Sequence, residues 1–292
     1  MGLLDSLKGI LGGGGRESGR VDLSRYEKLR EAVSGTMSTF YKAKDVKTGE
    51  VIGLKVIDPK KAEPVESRYR GLDKPSEGEI GSKILGPNIV KTLRWGVAAD
   101  DRKYVVLEFI EGIGLQAILA AGKPLSPAQR LDLVRQAARS IETVHNAGFV
   151  HRDICPRNFV LEPGGRLVLI DFGLTVPDKP VFLQPGNRIG TPTHMAPEVV
   201  RRRQADRRLD VFSFGVTAYE ICTLDHPWPK PSGNTAANAA LAHDSPPADI
   251  RTKWADIPEP LAAAIMACIA ADPEKRPATM ERFLAMIAGV KL

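Results

Sequence analysis

Cysteine is scarce in this chain. Three occur in 292 residues: Cys155, Cys222 and Cys268. They are far apart, odd in number and without metal-ligand spacing. That excludes a disulfide scaffold or zinc ribbon and suits a reducing cytoplasm. Long apolar runs are absent too, and none approaches the roughly 20 residues of a membrane-spanning helix. No secretory signal, internal repeat or nucleic-acid module is apparent, so no nucleic-acid partner is expected. Excess charge of one sign is slight: 41 Lys and Arg against 35 Asp and Glu leave a net +6. Part of it sits in Arg201-Arg202-Arg203 and Arg207-Arg208. This reads first as a solvated loop and second as a patch for acidic partners. What remains, 43 % hydrophobic and 26 % charged, is an ordinary globular composition.

The first residues differ in kind. Leu3, Leu4, Leu7, Ile10 and Leu11 fall on one face of an amphipathic helix over 1–11. Gly12 to Gly15 and the polar residues to Arg20 read as a flexible linker over 12–20. Such a helix can lie on a membrane as a peripheral anchor, dock on a partner or fold back on the body of the protein. Met1-Gly2-Leu3-Leu4-Asp5-Ser6 formally fits an N-myristoylation signal.

Chemistry enters with His151-Arg152-Asp153-Ile154-Cys155-Pro156-Arg157-Asn158. Asp171-Phe172-Gly173 starts eighteen residues after Asp153, and Ala196-Pro197-Glu198 follows. Either tripeptide alone means little. In this order, with Asn five residues after Asp153, they form a specific pattern. It resembles the catalytic loop, metal-binding turn and activation-segment end of protein kinases. The resemblance runs from about Tyr26 to Ile287 and implies an α+β, bilobal fold. A mainly β small lobe would span 21–110 and a mainly helical large lobe 111–292. It implies ATP and Mg²⁺ bound in a cleft and a protein substrate with a Ser or Thr hydroxyl. Asp153 would orient the hydroxyl and accept its proton, and Asn158 and Asp171 would hold metal.

Further positions follow from the same resemblance. Val51-Ile52-Gly53-Leu54-Lys55-Val56-Ile57 reads as a strand with one charge in it, and Lys55 takes the place of the phosphate-binding lysine. Its helical partner is Glu77 or Glu79. Glu77 is preferred, since it lies eleven residues before Asn88-Ile89-Val90. Leu107 takes the gatekeeper position, the backbone of Glu108 and Ile110 the adenine edge, and Val160 the floor. Thr191 would help hold Asp153. Asp210 would brace the catalytic loop through backbone N–H groups, and Arg276 would pair with Glu198.

Several residues depart from the family pattern. The phosphate-covering loop falls on Val33-Ser34-Gly35-Thr36-Met37-Ser38-Thr39-Phe40, where one family glycine, Gly35, remains. The loop is expected to be stiffer or to stand off the nucleotide. Phe40 and Gly53 stand where Val and Ala usually lie above the adenine, a gain and a loss of bulk that offset each other. Cys155 replaces a lysine that contacts the transferred phosphate in Ser/Thr kinases, and its thiol is expected to reach the cleft. Between Asp171 and Glu198 the hydroxyl residues are Thr175, Thr191 and Thr193, which makes Thr193 the leading phosphorylation site in that segment. Two rivals stand beside an active Ser/Thr kinase. One is a pseudokinase that binds nucleotide or a partner. The other is a small-molecule kinase of similar fold, disfavoured by Ala196-Pro197-Glu198.

Overall fold

Val51–Ile57 becomes a strand because its alternate residues Ile52, Leu54 and Val56 all meet one apolar cluster. In the computed structural model, which describes residues 14–123, 125–229, 243 and 245–292, it is β4 of a six-stranded sheet. The other members are β1 (Gly15–Val21), β2 (Tyr26–Ser34), β3 (Ser38–Asp45), β5 (Thr92–Ala98) and β6 (Lys103–Glu108). Their spatial order is β1-β5-β6-β4-β3-β2. One face carries Tyr26, Ala43, Ile52, Leu54, Val56, Tyr104 and Val106. The register Phe40–Lys55–Val105 and Lys42–Gly53–Leu107 puts Phe40, Gly53, Lys55 and Leu107 on the opposite face. The chain turns between β3 and β4, with Gly49 at φ +76°.

The proposed helix over 1–11 and residues 12 and 13 lie outside the described residues. The rest of the expected linker is corrected: Gly15–Val21 is an edge strand, parallel to β5. Composition concealed it because its anchors are tertiary. The Glu17 carboxylate accepts from Arg25 Nη1 at 2.7 Å and from the hydroxyls of Tyr26 and Tyr104. Arg25 also binds Asp45, which is fully buried and accepts from Arg94 Nη2 at 2.8 Å. Replacing Glu17 with Ala strands two buried phenols and is expected to cost about 1–3 kcal/mol, measurable by urea unfolding. Removal of 15–21 therefore takes away part of the sheet, not a free tether.

Two compact units are present, Met1–Glu111 and Gly112–Leu292. The first is mainly β, with short helices Pro59–Glu66 and Glu77–Lys83. The second is mainly helical. Its long helix Pro127–Asn146 starts in a capping box, where Ser126 and Gln129 satisfy each other's backbone N–H. Arg208–Thr223 is apolar nearly all round and is accordingly buried. It packs on Glu259–Cys268, and Gly215 permits the approach: a Cβ there would lie 2.6 Å from Cys268 Cβ. Phe214 meets Phe283 of Met280–Met286 edge-on, with ring centroids 4.7 Å apart. Short strands complete this unit: β7 (Ile113–Gly114), β8 (Phe149–Val150), β9 (Phe159–Leu161), β10 (Leu167–Leu169) and β11 (Val176–Pro177). Strand β9 pairs with β7 and β10, and β8 pairs with β11. Among the described residues no helix is long and apolar enough to cross a membrane.

Candidate active site

In the first unit, Lys55 Nζ donates to Glu77 Oε1 at 2.6 Å, both side chains being largely buried. Ser76 caps the helix that carries Glu77, and Ile80 and Ile84 sink fully into the core beside it. Glu79 instead pairs with Lys83 on the exposed face, at 2.8 Å. The two-candidate choice thus resolves to Glu77.

Phe40 and Gly53 interlock. A Cβ on Gly53 would lie 2.7 Å from Phe40 Cζ and 2.9 Å from Cε2, so the ring fills the space an alanine methyl would take. Gly53→Ala is expected to cost about 1–2 kcal/mol, and Phe40→Val in the same chain to recover most of it. Denaturant unfolding of the two single variants and the double variant measures that coupling. Leu107 is 5 % exposed. The Glu108 N–H donates to the Lys91 carbonyl at 2.9 Å. Ile110 follows two residues on, past the end of β6. Val33 lies in β2, with its side chain outside the described residues. Gly35 closes a tight turn, its N–H donating to Ser38 O at 2.8 Å, and does not adopt a left-handed backbone.

In the second unit the catalytic-loop motif is held from beneath. Asp210, fully buried, accepts from the backbone N–H of His151 at 2.7 Å and of Arg152 at 2.8 Å. His145 Nε2 adds a contact at 2.9 Å. Burial pushes the Asp210 carboxyl up, but the His145 hydrogen bond and the nearby imidazoles outweigh it and keep it below the usual range. Arg152 takes φ +71°, a strained backbone these bonds enforce. Gly190, at φ +122°, approaches so closely that a Cβ would sit 2.6 Å from the Arg152 carbonyl. Only glycine lets Thr191 reach the loop there.

Asp153 is 9 % exposed and accepts four hydrogen bonds. Oδ1 takes Thr191 N at 2.8 Å and Thr191 Oγ1 at 2.6 Å. Oδ2 takes Arg157 Nη2 at 2.9 Å and Asn158 Nδ2 at 3.0 Å. Burial alone would raise its pKa. The Arg157 charge, the Thr191 hydrogen bond and His151 overcome that and hold it below the usual carboxylate range. Asn158 spends its amide N–H groups on Asp153, at the side chain and at the carbonyl (2.7 Å), which points its oxygen to other work. The Ile170 N–H donates to Asn158 O at 3.0 Å, joining the Asp171 turn to the catalytic loop. Asp171 Oδ1 accepts from Gly173 N at 2.8 Å, which orders that turn. Val160 sits in β9 opposite Val168 and Gly114.

Cys155 does not reach outward as expected. It is 1 % exposed, and its sulfur lies 3.3 Å from Thr191 Oγ1. Burial and the Asp153 charge push its thiol up to about 12, so it is neutral and unreactive. The Arg157 contact with Asp153 was not legible, because i,i+4 contacts signal helices and Pro156–Asn158 is a single 3₁₀ turn. The hydroxyls of the segment before Glu198 are mostly engaged. Thr175 is fully buried, Thr191 binds Asp153, and Thr193 Oγ1 lies 3.0 Å from His194 Nδ1. Glu198 and Arg276 form the expected pair, at 2.8 Å through both oxygens.

This geometry agrees with comparison to known proteins. A family model described as the protein kinase domain matches residues 26–286, and the chain belongs to that family. It is 28 % identical to the serine/threonine-protein kinase pkn3 of Myxococcus xanthus, over 88 % of this chain and 48 % of that protein. It is 28 % identical to PrkC of Bacillus subtilis, over 88 % of this chain and 39 % of the relative. With PknD of Mycobacterium tuberculosis the identity is 29 %, over 86 % and 37 %. The chain therefore spans less than half the length of these relatives, all of which are named serine/threonine-protein kinases.

Proposed function

We propose that this chain is an ATP-dependent protein kinase that phosphorylates Ser or Thr hydroxyls of a protein. The observation that carries this reading is the four-bonded Asp153, buried, anionic and oriented on both oxygens. A scaffold would have no need of such a carboxylate beside Asn158 and Asp171, with the Lys55–Glu77 pair intact. The names of its relatives favour Ser and Thr as acceptors.

The donor set fits Mg²⁺. Asn158 and Asp171 offer hard oxygens on adjoining turns, and Mg²⁺ is commonly held by one or two protein oxygens together with substrate phosphates. When bound, the ion supplies neutralisation of phosphate charge. Lys55, held in place by Glu77, supplies a second positive charge for phosphate oxygens. The substrate hydroxyl is oriented by Asp153. Its oxygen bonds to the γ-phosphorus, the bond from that phosphorus to the β,γ-bridging oxygen breaks, and ADP departs. The hydroxyl proton passes to Asp153. Incubation with γ-labelled ATP, Mg²⁺ and a generic protein substrate tests this against an Asp153→Asn control. Labelling that is equal in both would refute it, and nucleotide binding without transfer would favour the pseudokinase.

A further inference from the structure

The helix Glu77–Lys83 does not hold itself in place. It has seven residues, and two of them, Gly78 and Gly81, are glycine. Helices this short are marginal in water, and glycine is the poorest helix former after proline. Whether Glu77 meets Lys55 is therefore decided by the surface on which the helix lies. Gly78 shows how close that surface comes: a Cβ there would lie 2.2 Å from Trp95 Cβ.

The strand register carries this contact across the sheet. Lys55 stands opposite Val105, Val105 opposite Trp95, and Trp95 opposite Arg16 of β1. Directly opposed residues share a face of the sheet. On that face Lys55 reaches Glu77 and Trp95 reaches Gly78. Strand β1 closes the row on the outer side of Trp95, and the helix lies against β1 as well as β5. Without β1, β5 would be the edge of the sheet, with Trp95 flanked on one side only.

Two separate features fix β1. On the core face the Glu17 carboxylate accepts from Arg25, Tyr26 and Tyr104. At the start of the strand Gly14 comes so near β5 that a Cβ would lie 2.2 Å from the Thr92 carbonyl oxygen. The first feature is a side-chain anchor and the second a backbone approach that glycine permits.

We infer that β1 is the outer support of the helix Glu77–Lys83, and that Glu17 is a positioning residue which, through β1 and Trp95, keeps Glu77 on Lys55. The catalytic half of this inference rests on the phosphotransfer reading above. The support itself does not. Glu17 touches neither Lys55 nor Glu77, so its effect on transfer has to pass through the helix.

The test uses the full chain, Glu17→Ala, Glu17→Gln and Gly14→Ala variants, and a peptide that the wild type phosphorylates. Amide hydrogen exchange reads the support without turnover. In Glu17→Ala and Gly14→Ala the amides of 77–83 are expected to exchange about 10-fold faster, with those of Pro127–Asn146 unchanged. In the same two variants kcat is expected to fall about 10-fold, with KM for the peptide within about threefold. Glu17→Gln is expected to regain most of both, because its amide can still bond Arg25 and the two phenols. In a Glu77→Gln background, Glu17→Ala is expected to change kcat by less than about twofold, since the group it acts through is already altered. Wild-type exchange at 77–83 in both Ala variants would overturn the inference, as would an equal rise across Pro127–Asn146, which marks general destabilisation. A full 10-fold loss persisting in the Glu77→Gln background would show that Glu17 does not act through Glu77. Those results leave the kinase reading standing. Absence of Asp153-dependent transfer in the wild type would remove that reading, while the exchange comparison would still decide whether β1 holds the helix.

Discussion

Arg276→Ala is expected to destabilise the helical unit by about 3–5 kcal/mol. The arginine side chain is fully buried and pairs with Glu198, itself nearly buried, through two bonds of 2.8 Å. It also donates to the carbonyls of Ala270, Ala271 and Arg208 and lies 4.9 Å from the centroid of the Phe212 ring. Truncation leaves a buried carboxylate without its counter-ion and three carbonyls without that donor. The pair joins the turn after Ala196 to the segment that follows Glu259–Cys268. Glu198→Met/Arg276→Met is expected to be more stable than Arg276→Ala, since no lone charge remains. It should still fall short of the wild type because the carbonyls stay unsatisfied. Urea unfolding of the three proteins checks the order. A single variant as stable as the wild type would show that water or another cation reaches Glu198.

Asp153→Asn and Asp171→Asn are expected to reduce transfer by about 10²–10⁴-fold or more while leaving the fold intact. Each removes a negative charge that the chemistry uses, and neither is an apolar anchor of the core. For Asp153→Asn the geometry adds a reason. An amide nitrogen at either oxygen position would face donors, Thr191 N and Oγ1 on one side or Arg157 and Asn158 on the other. The loop would lose orientation as well as its base. For Asp171→Asn the Gly173 N–H retains an oxygen acceptor, so the turn should hold and the loss should track charge alone. Initial-rate measurements beside circular dichroism spectra separate chemistry from folding.

Much of this site was legible because its parts are short runs or fixed intervals. Asp153, Asn158 and Asp171 fall within nineteen consecutive residues. Glu77 over Glu79 followed from spacing, and the structure shows why only one faces Lys55: the other points to solvent with Lys83. The exchange of bulk between Phe40 and Gly53 was readable once the strand was in register. What the sequence concealed depends on contacts between distant residues. Gly15–Val21 looks like a linker, yet it becomes a strand because Glu17 meets Arg25, Tyr26 and Tyr104. Cys155 is buried by the approach of Thr191, thirty-six positions on. Arg157 turns back onto Asp153 in a loop where no helical repeat announces it. Propensity is local, whereas these three outcomes are tertiary.

The most direct measurement of the central claim is acid hydrolysis of a protein substrate labelled from γ-labelled ATP and Mg²⁺ by the full chain, followed by separation of the phosphoamino acids, beside the Asp153→Asn protein. The expected result is phosphoserine or phosphothreonine that depends on Asp153. Label found only on tyrosine, or label equal in the Asp153→Asn protein, would contradict it.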